Sequence, residues 1–185
     1  MNITNIGDFR MALAATAKHG VRAYLNGLYL EPREGRVVGS DGVRLVRASC
    51  LEVTDADPLI ICPYRVDRKT AKHIPVGLPK SAFSGWISVP EGTIYTQTRT
   101  GKTTKTPFDV VDERYPDLAR VIPGGTKEWV EELTFNPLLL AEIVAARNDE
   151  ALPGVRLTAP NGTEKAYVAE LCGSQATIVI MPMRL

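Results

Sequence analysis

Apolar and polar positions along the chain alternate between two periods. In IGDFRMALAATAK the apolar residues Ile6, Phe9, Leu13 and Ala17 recur every three or four positions, which predicts an amphipathic helix. Strand-like runs follow in AYLNGLYLEP, GRVVGSD and VRLVRASCLEV, broken by turn residues at Pro32 to Gly35 and at Asp41-Gly42. A second round opens with the short strand LIIC. It takes YRVDRKTAKHI as its helix and SGWISVP, GTIYTQT and TPFDVVDE as its strands, with turns at Glu91-Gly92 and Thr100 to Lys102. A third begins with WVEELTF. Asn136 then stands as N-cap to a helix with Pro137 in its first turn, before strands VRLTA, KAYVAEL and ATIVIMP, which turn at Asn161-Gly162 and Gly173-Ser174. The prediction is a mixed α+β chain of three β-α-β-β-β units, each of about 60 residues. Helices lie on one face and antiparallel sheets on the other.

Composition narrows the class. At 185 residues, with 44% hydrophobic and 23% charged residues, the chain can bury a sizeable core. No run approaches the ~20 apolar residues of a membrane span, and no leader pattern opens the chain, so a cytoplasmic protein is expected. Cys50, Cys62 and Cys172 are scattered and odd in number, which suits neither a disulfide framework nor a zinc site. A net charge of +1 excludes a wholly basic nucleic-acid-binding domain, but charge is unevenly spread. Arg65, Arg68, Lys69 and Lys72 fall at i, i+3, i+4 and i+7, one face of the expected second helix. Acidic residues concentrate in VDERYPD and KEWVEE.

Signals for catalysis are weak. GKTT in TRTGKTTKT lacks the earlier glycine of a phosphate-binding loop and lies between strands. His19 and His73 have no metal-ligand spacing, Asp41-Gly42 reads first as a turn, and no paired acids stand out. No catalytic residue, metal or cofactor is expected, and the chain reads as a non-enzyme.

Three stretches carry a resemblance. VRAYLNGLYLE with VGSDGVRLV is similar to the middle domain of the bacterial sliding clamp, the beta subunit of DNA polymerase III. RYPDLARVIP resembles the segment leaving that domain, and IVIMPMRL resembles the C-terminus of the family. The resemblance divides the chain into a complete clamp-like domain over 1–123 and half of a second over 124–185. The family's N-terminal domain and the first half of its last domain have no counterpart. Such a compact form suits a phage or mobile element.

The resemblance implies a DNA processivity factor that encircles or cradles duplex DNA and tethers a polymerase or repair protein through a short peptide. The implied peptide groove comprises Leu25, Gly27, Ser40, Gly42, Val43, Arg44, Leu45, Pro116, Arg120, Val121, Val179, Met181, Pro182, Met183 and Arg184. Arg44, Arg120 and Arg184 would give that apolar slot a cationic rim, and the methionines would adapt to several partner side chains. Ser40 stands where the family usually has threonine, and Val43 where histidine is common. The implied DNA-facing residues are Arg65, Arg68, Lys69 and Lys72, with Lys18, His19, Arg22 and Tyr24 from the loop after the first helix. Arg10 and Arg147 are further candidates on the other two helices. Lysine and arginine on phosphates attract without reading bases, as sliding requires. A homo-oligomer is expected: four chains of three units would supply as many units as the family's ring, and a dimer would form a half-ring. The alternative is an adaptor or decoy that binds clamp-binding peptides, or a host clamp, without threading DNA.

Overall fold

The computed structural model describes residues 1–18, 20–123, 133–148, 154–159 and 165–183. Among them are two α-helices, α1 (Ile6–Ala14) and α2 (Pro137–Arg147), and twelve strands. The first unit supplies β1 (Asn2–Ile3), β2 (Leu28–Glu31), β3 (Arg36–Ser40) and β4 (Arg44–Ser49). The next stretch supplies β5 (Leu59–Val66), β6 (His73–Pro75), β7 (Ser84–Ser88), β8 (Thr93–Gln97) and β9 (Thr103–Val111). The last supplies β10 (Val155–Thr158), β11 (Tyr167–Leu171) and β12 (Ala176–Ile180).

Every pairing is antiparallel, and the strands run β1-β7-β8-β9-β5-β2-β3-β4-β12-β11-β10, with β6 hydrogen-bonded to β5 off that path. β1 pairs with β7 and β5 with β2, so the first two units exchange their opening strands. A bridge from Ile3 to Leu51 brings the end of β4 back to β1. Because β4 also pairs with β12, the third unit extends the same sheet, Leu45 opposite Val179 and Arg44 opposite Ile180. Among the described residues β10 is left as an edge, with Val155 40% exposed.

Both helices cover one face of this sheet. The fully buried side chains there include Phe9 and Met11 of α1, Ile143 of α2, and Leu28, Leu30, Val37, Ile61, Ile178 and Ile180 of the strands. α1 sits so close to β3 that a Cβ on Gly39 would lie 1.8 Å from the Ala12 carbonyl oxygen. Asn5 and Asn136 cap the two helices through their side chains, and Pro137 occupies the first turn of α2 as the sequence predicts.

The helices are locked to each other by buried charge. Asp8, 1% exposed, lies 3.3 Å from Arg147 Nε through Oδ1. Its Oδ1 also accepts from the Ser174 hydroxyl at 2.9 Å, and its Oδ2 from the Gln175 amide at 3.3 Å. Arg10 donates to the carbonyls of Pro79, Lys80 and Arg147. Arg10 and Arg147 are therefore buried structural residues, not the DNA-facing pair expected from the sequence.

The second unit departs from the expected plan because it has no helix. YRVDRKTAKHI forms the end of β5, a turn and β6. The charge spacing was compatible with a helix, but the face opposite the four cations carries Asp67, Thr70, Ala71 and Ile74. With two polar residues among those four, that face offers no apolar stripe to bury, and helical periodicity alone does not stabilise a short helix. Asp67 instead closes a tight turn: its carboxylate accepts from the Lys69 amide and the Thr70 hydroxyl, and Ala71 takes φ 54°. Those hydrogen bonds hold the Asp67 carboxyl below the usual range. WVEELTF lies outside the described residues except for its last three positions.

Candidate functional site

The 112–123 segment folds back over the sheet face opposite the helices. There Val38, Leu45, Ile60, Tyr115, Ala166 and Val179 form a second buried apolar cluster, with Tyr24, Tyr29, Leu118 and Ile122 packed against it. Strand register explains the membership: Ser40, Leu45, Val179 and Val168 lie across from one another on adjacent strands, so their side chains share a face. Tyr115 stacks on Tyr29 at 4.5 Å and meets Tyr24 edge-on at 6.1 Å. Burial raises the phenol pKa of Tyr115, and the neighbouring tyrosines and Glu31 push it the same way.

The expected groove residues arrange around this cluster. Leu45 and Val179 form its floor, each 3% exposed. Val43, Val121, Met181 and Met183 stand at the surface with 44–50% exposure, an unusual concentration of exposed apolar side chains. The Met181 amide donates to the Val43 carbonyl at 2.9 Å, which fixes the tail beside the β3–β4 turn. The Met183 amide donates to the Thr134 carbonyl at 2.9 Å. Pro182 is half-buried, and Pro116 and Arg120 are exposed along the opposite wall.

Leu25 is buried beside Gly42, which takes φ 95° in the turn. Gly27 leaves no room for a side chain, since a Cβ would lie 2.5 Å from Ile60 Cγ2. Ser40 uses its hydroxyl inside the turn, donating to the Arg44 carbonyl at 2.7 Å. That turn bond occupies Ser40, so it shapes the turn and offers no free hydroxyl.

The cationic rim is smaller than expected. Arg44 points to the helix side, 7% exposed, with Nε 3.0 Å from Asp41 and Nη1 2.8 Å from Glu142. It also donates to the carbonyls of Leu139 and Ala14, so it joins the turn to both helices. Arg120 does lie on the rim, paired with Asp117 at 3.4 Å. Arg184 lies outside the described residues.

On the helix-bearing side, Arg65, Arg68, Lys69 and Lys72 are all exposed and gather at the tip of the β5–β6 hairpin. The hairpin is braced from below. The His73 ring stacks on Tyr64 at 3.6 Å and contacts Asp109 through Nδ1 at 2.7 Å. Its base residues Pro63, Ile74, Pro75 and Val76 line a cleft of about 500 Å3 together with Leu13 of α1, Ala145 of α2 and Lys18. Lys18 thus shares the face with the basic hairpin, and Arg22 is exposed in the loop that follows. Tyr24 does not join them, since it packs into the opposite cluster. His19 lies outside the described residues.

Tyr115, Leu118 and Ile122 are residues of this surface that reading by resemblance missed. Their spacing of three and four positions in RYPDLARVIP was the available signal.

No family model matches the sequence, and no curated protein is significantly similar to it. Solved structures do match, over 100% of this chain. The sliding clamp of Pseudomonas aeruginosa bound to griselimycin superposes with a TM-score of 0.59 at 20% identity. DNA polymerase III subunit beta from Borrelia burgdorferi, in complex with a natural product, gives 0.63 at 12%. The Helicobacter pylori beta clamp bound to a DNA ligase peptide gives 0.60 at 12%. The chain spans 64–65% of the length of these clamps. Over its whole length, the chain has the fold of a bacterial DNA sliding clamp.

Proposed function

We propose that this protein is a clamp-like processivity factor, which holds a polymerase or repair protein near duplex DNA by taking a short peptide of that partner into the β4–β12 groove. The observation that carries the reading is the pairing of β4 with β12, which joins the Asp41–Leu45 turn to the Ile178–Met183 tail around a buried Leu45–Val179 floor. An apolar floor edged by exposed methionines and stiffened by prolines suits a peptide held by side-chain insertion. Its work is tethering, not chemistry. Griselimycin and the DNA ligase peptide are ready probes, because related folds have been solved with them. Either should bind with micromolar or better affinity by calorimetry and lose at least tenfold in Leu45→Asp or Met181→Asp. Absence of binding by both to the wild-type protein would refute the groove.

Attraction to DNA is assigned to the hairpin cations Arg65, Arg68, Lys69 and Lys72 with Lys18 and Arg22, on the face that also bears the helices. The domain division at 123/124 and self-association complete the proposal. The β10 edge, unpaired among the described residues, and the 66% exposed Leu138 of α2 are the surfaces offered to a second copy. Light scattering across a concentration series checks this, and a monomer at tens of micromolar would refute it.

One observation favours the adaptor reading: the second unit has replaced a helix by a hairpin, which narrows the basic surface. Charge reversal at Arg68, Lys69 and Lys72 separates the readings. It should abolish DNA retention under the clamp reading and leave peptide capture unchanged under both. Wild-type protein that captures peptide but never retains DNA would establish the adaptor.

A further inference from the structure

The second unit places a hairpin where the first and third place a helix, and the cleft of about 500 Å3 opens between the base of that hairpin and the two helices. Leu13, Pro63, Ile74, Val76, Leu78 and Ala145 give it apolar walls. Space remains at Gly77, where an added Cβ would meet nothing within 4 Å. Small-molecule sites run to about 300–1,000 Å3 and are mostly apolar with a few polar groups that fix orientation, a description this cleft meets.

Most of its polar groups are already engaged. The Thr16 hydroxyl donates to the Leu13 carbonyl, and the Asn26 amide is bonded in both directions to Gly20. Arg10 donates to the carbonyls of Pro79, Lys80 and Arg147. Glu142 is the one acid on the lining, and it lies 2.8 Å from Arg44. The acids of the hairpin are taken too, Asp67 by its own turn, and Asp109 beside it meets His73. Lys18 and Lys80 differ: both line the cleft, both are exposed, and neither meets a carboxylate among the described residues. The acid of the lining has its cation, while two ammonium groups have no anion.

We propose that the cleft binds a small amphiphilic carboxylate, with its apolar tail against the walls and its head group taken by Lys18 and Lys80. Ammonium–carboxylate contacts are charge-assisted and orient the ligand, while burial of the tail supplies the larger part of the affinity. A sugar-phosphate backbone has the charge but no apolar group for these walls, so the DNA assigned to this face would leave the cleft unfilled. The inference depends on neither the groove nor the DNA reading.

Decanoate is titrated into the full chain by calorimetry at about 50 mM salt, where exposed charges are only partly screened. Decyltrimethylammonium, with the same tail and the opposite charge, is the comparison. Decanoate should bind at one site with a Kd below about 1 mM, and about fivefold or more tighter than the cation. Ala145→Phe and Gly77→Leu, both at exposed positions of the lining, should fill the space and weaken decanoate at least about tenfold. Lys18→Gln/Lys80→Gln should weaken it about fivefold and remove the preference for the anion. The lysine variant breaks no ion pair among the described residues, and unchanged melting temperatures verify that all three fold. No saturable binding of decanoate, equal binding of the two amphiphiles, or full binding in both filled variants would each overturn the site. Binding of the peptide Glu-Glu-Phe-Glu-Glu in place of decanoate would overturn it in favour of a protein partner.

Discussion

The buried Asp8 carboxylate is one of the points, with the β4–β12 ladder, at which the third unit is fastened to the first, and its removal has a calculable cost. Asp8→Ala deletes the 3.3 Å contact with Arg147 and the acceptor for both Ser174 and Gln175, all in a site where Asp8 is 1% exposed. Taking one partner from a buried ion pair costs about 3–5 kcal/mol, because the other charge stays desolvated. Arg147 keeps its bond to the Gly173 carbonyl, so the lower end applies, about 3 kcal/mol. For a chain of this size each kcal/mol moves the melting temperature by about 2–4 °C, so the variant should melt about 6–12 °C lower. Urea unfolding followed by circular dichroism gives the free energy. Native-state hydrogen exchange gives the location: amides of β12 should lose more protection than those of β7 and β8, which Asp8 does not touch. The cycle completed by Arg147→Met and the double variant should return a coupling of about 1.5 kcal/mol or more. A loss below about 1 kcal/mol, or protection lost evenly across the sheet, would refute the claim that this ion pair fastens the two units.

Other consequences are simpler to read. Gly39→Ala should destabilise by more than about 3 kcal/mol or fail to fold, since its Cβ would meet backbone 1.8 Å away, and urea midpoints check this. The cysteines should react in order with a maleimide at pH 7.5: exposed Cys172 first, Cys62 far slower, buried Cys50 only on unfolding. Burial and then Asp109 push the Cys62 thiol up to about 11, so its labelling rate should keep rising with pH toward that value, and a plateau near pH 9 would contradict it. If DNA binds, Arg68→Glu/Lys69→Glu/Lys72→Glu should flatten the salt dependence of the affinity, by about 0.9 in log–log slope for each phosphate that is no longer neutralised.

Much of the fold was legible in the sequence because its signals were local and redundant. Strand-like runs bounded by Asp-Gly, Glu-Gly and Gly-Ser turns gave the strands, and Asn136-Pro137 gave the start of α2 almost to the residue. The missing second helix shows what a charge pattern cannot do. Cations at i, i+3, i+4 and i+7 are compatible with a helix, but only an apolar stripe buries one, and Asp67 and Thr70 occupy that stripe. The roles of Arg10, Arg44 and Arg147 were illegible for another reason. An arginine that will cap buried carbonyls looks the same in sequence as one bound for solvent, until packing supplies Pro79, Leu139 or Gly173 as its acceptor. The resemblance named positions along the chain, but not the buried neighbours packed beneath them: Val38 and Tyr115 join Leu45 and Val179 only once the 112–123 segment lies over the sheet.

The placement of the arginines also bears on how the groove and the helix face depend on each other. Arg44 opens β4 just after the turn that borders the proposed groove, yet its guanidinium reaches through to Ala14 of α1 and to Leu139 and Glu142 of α2. The wall that would receive a peptide is thus braced from behind by the two helices, and Asp8 and Arg147 hold those helices at a fixed spacing. Side chains with χ freedom removed in this way keep an apolar slot open at low entropic cost, which is what a reusable peptide site needs. The hairpin that carries the exposed cations is built differently: it rests on a tyrosine–histidine stack and an Asx turn at the surface, and the residues at its tip are exposed. A braced slot and an exposed basic tip would suit the proposed division of labour, in which one partner is held specifically and the other without regard to sequence.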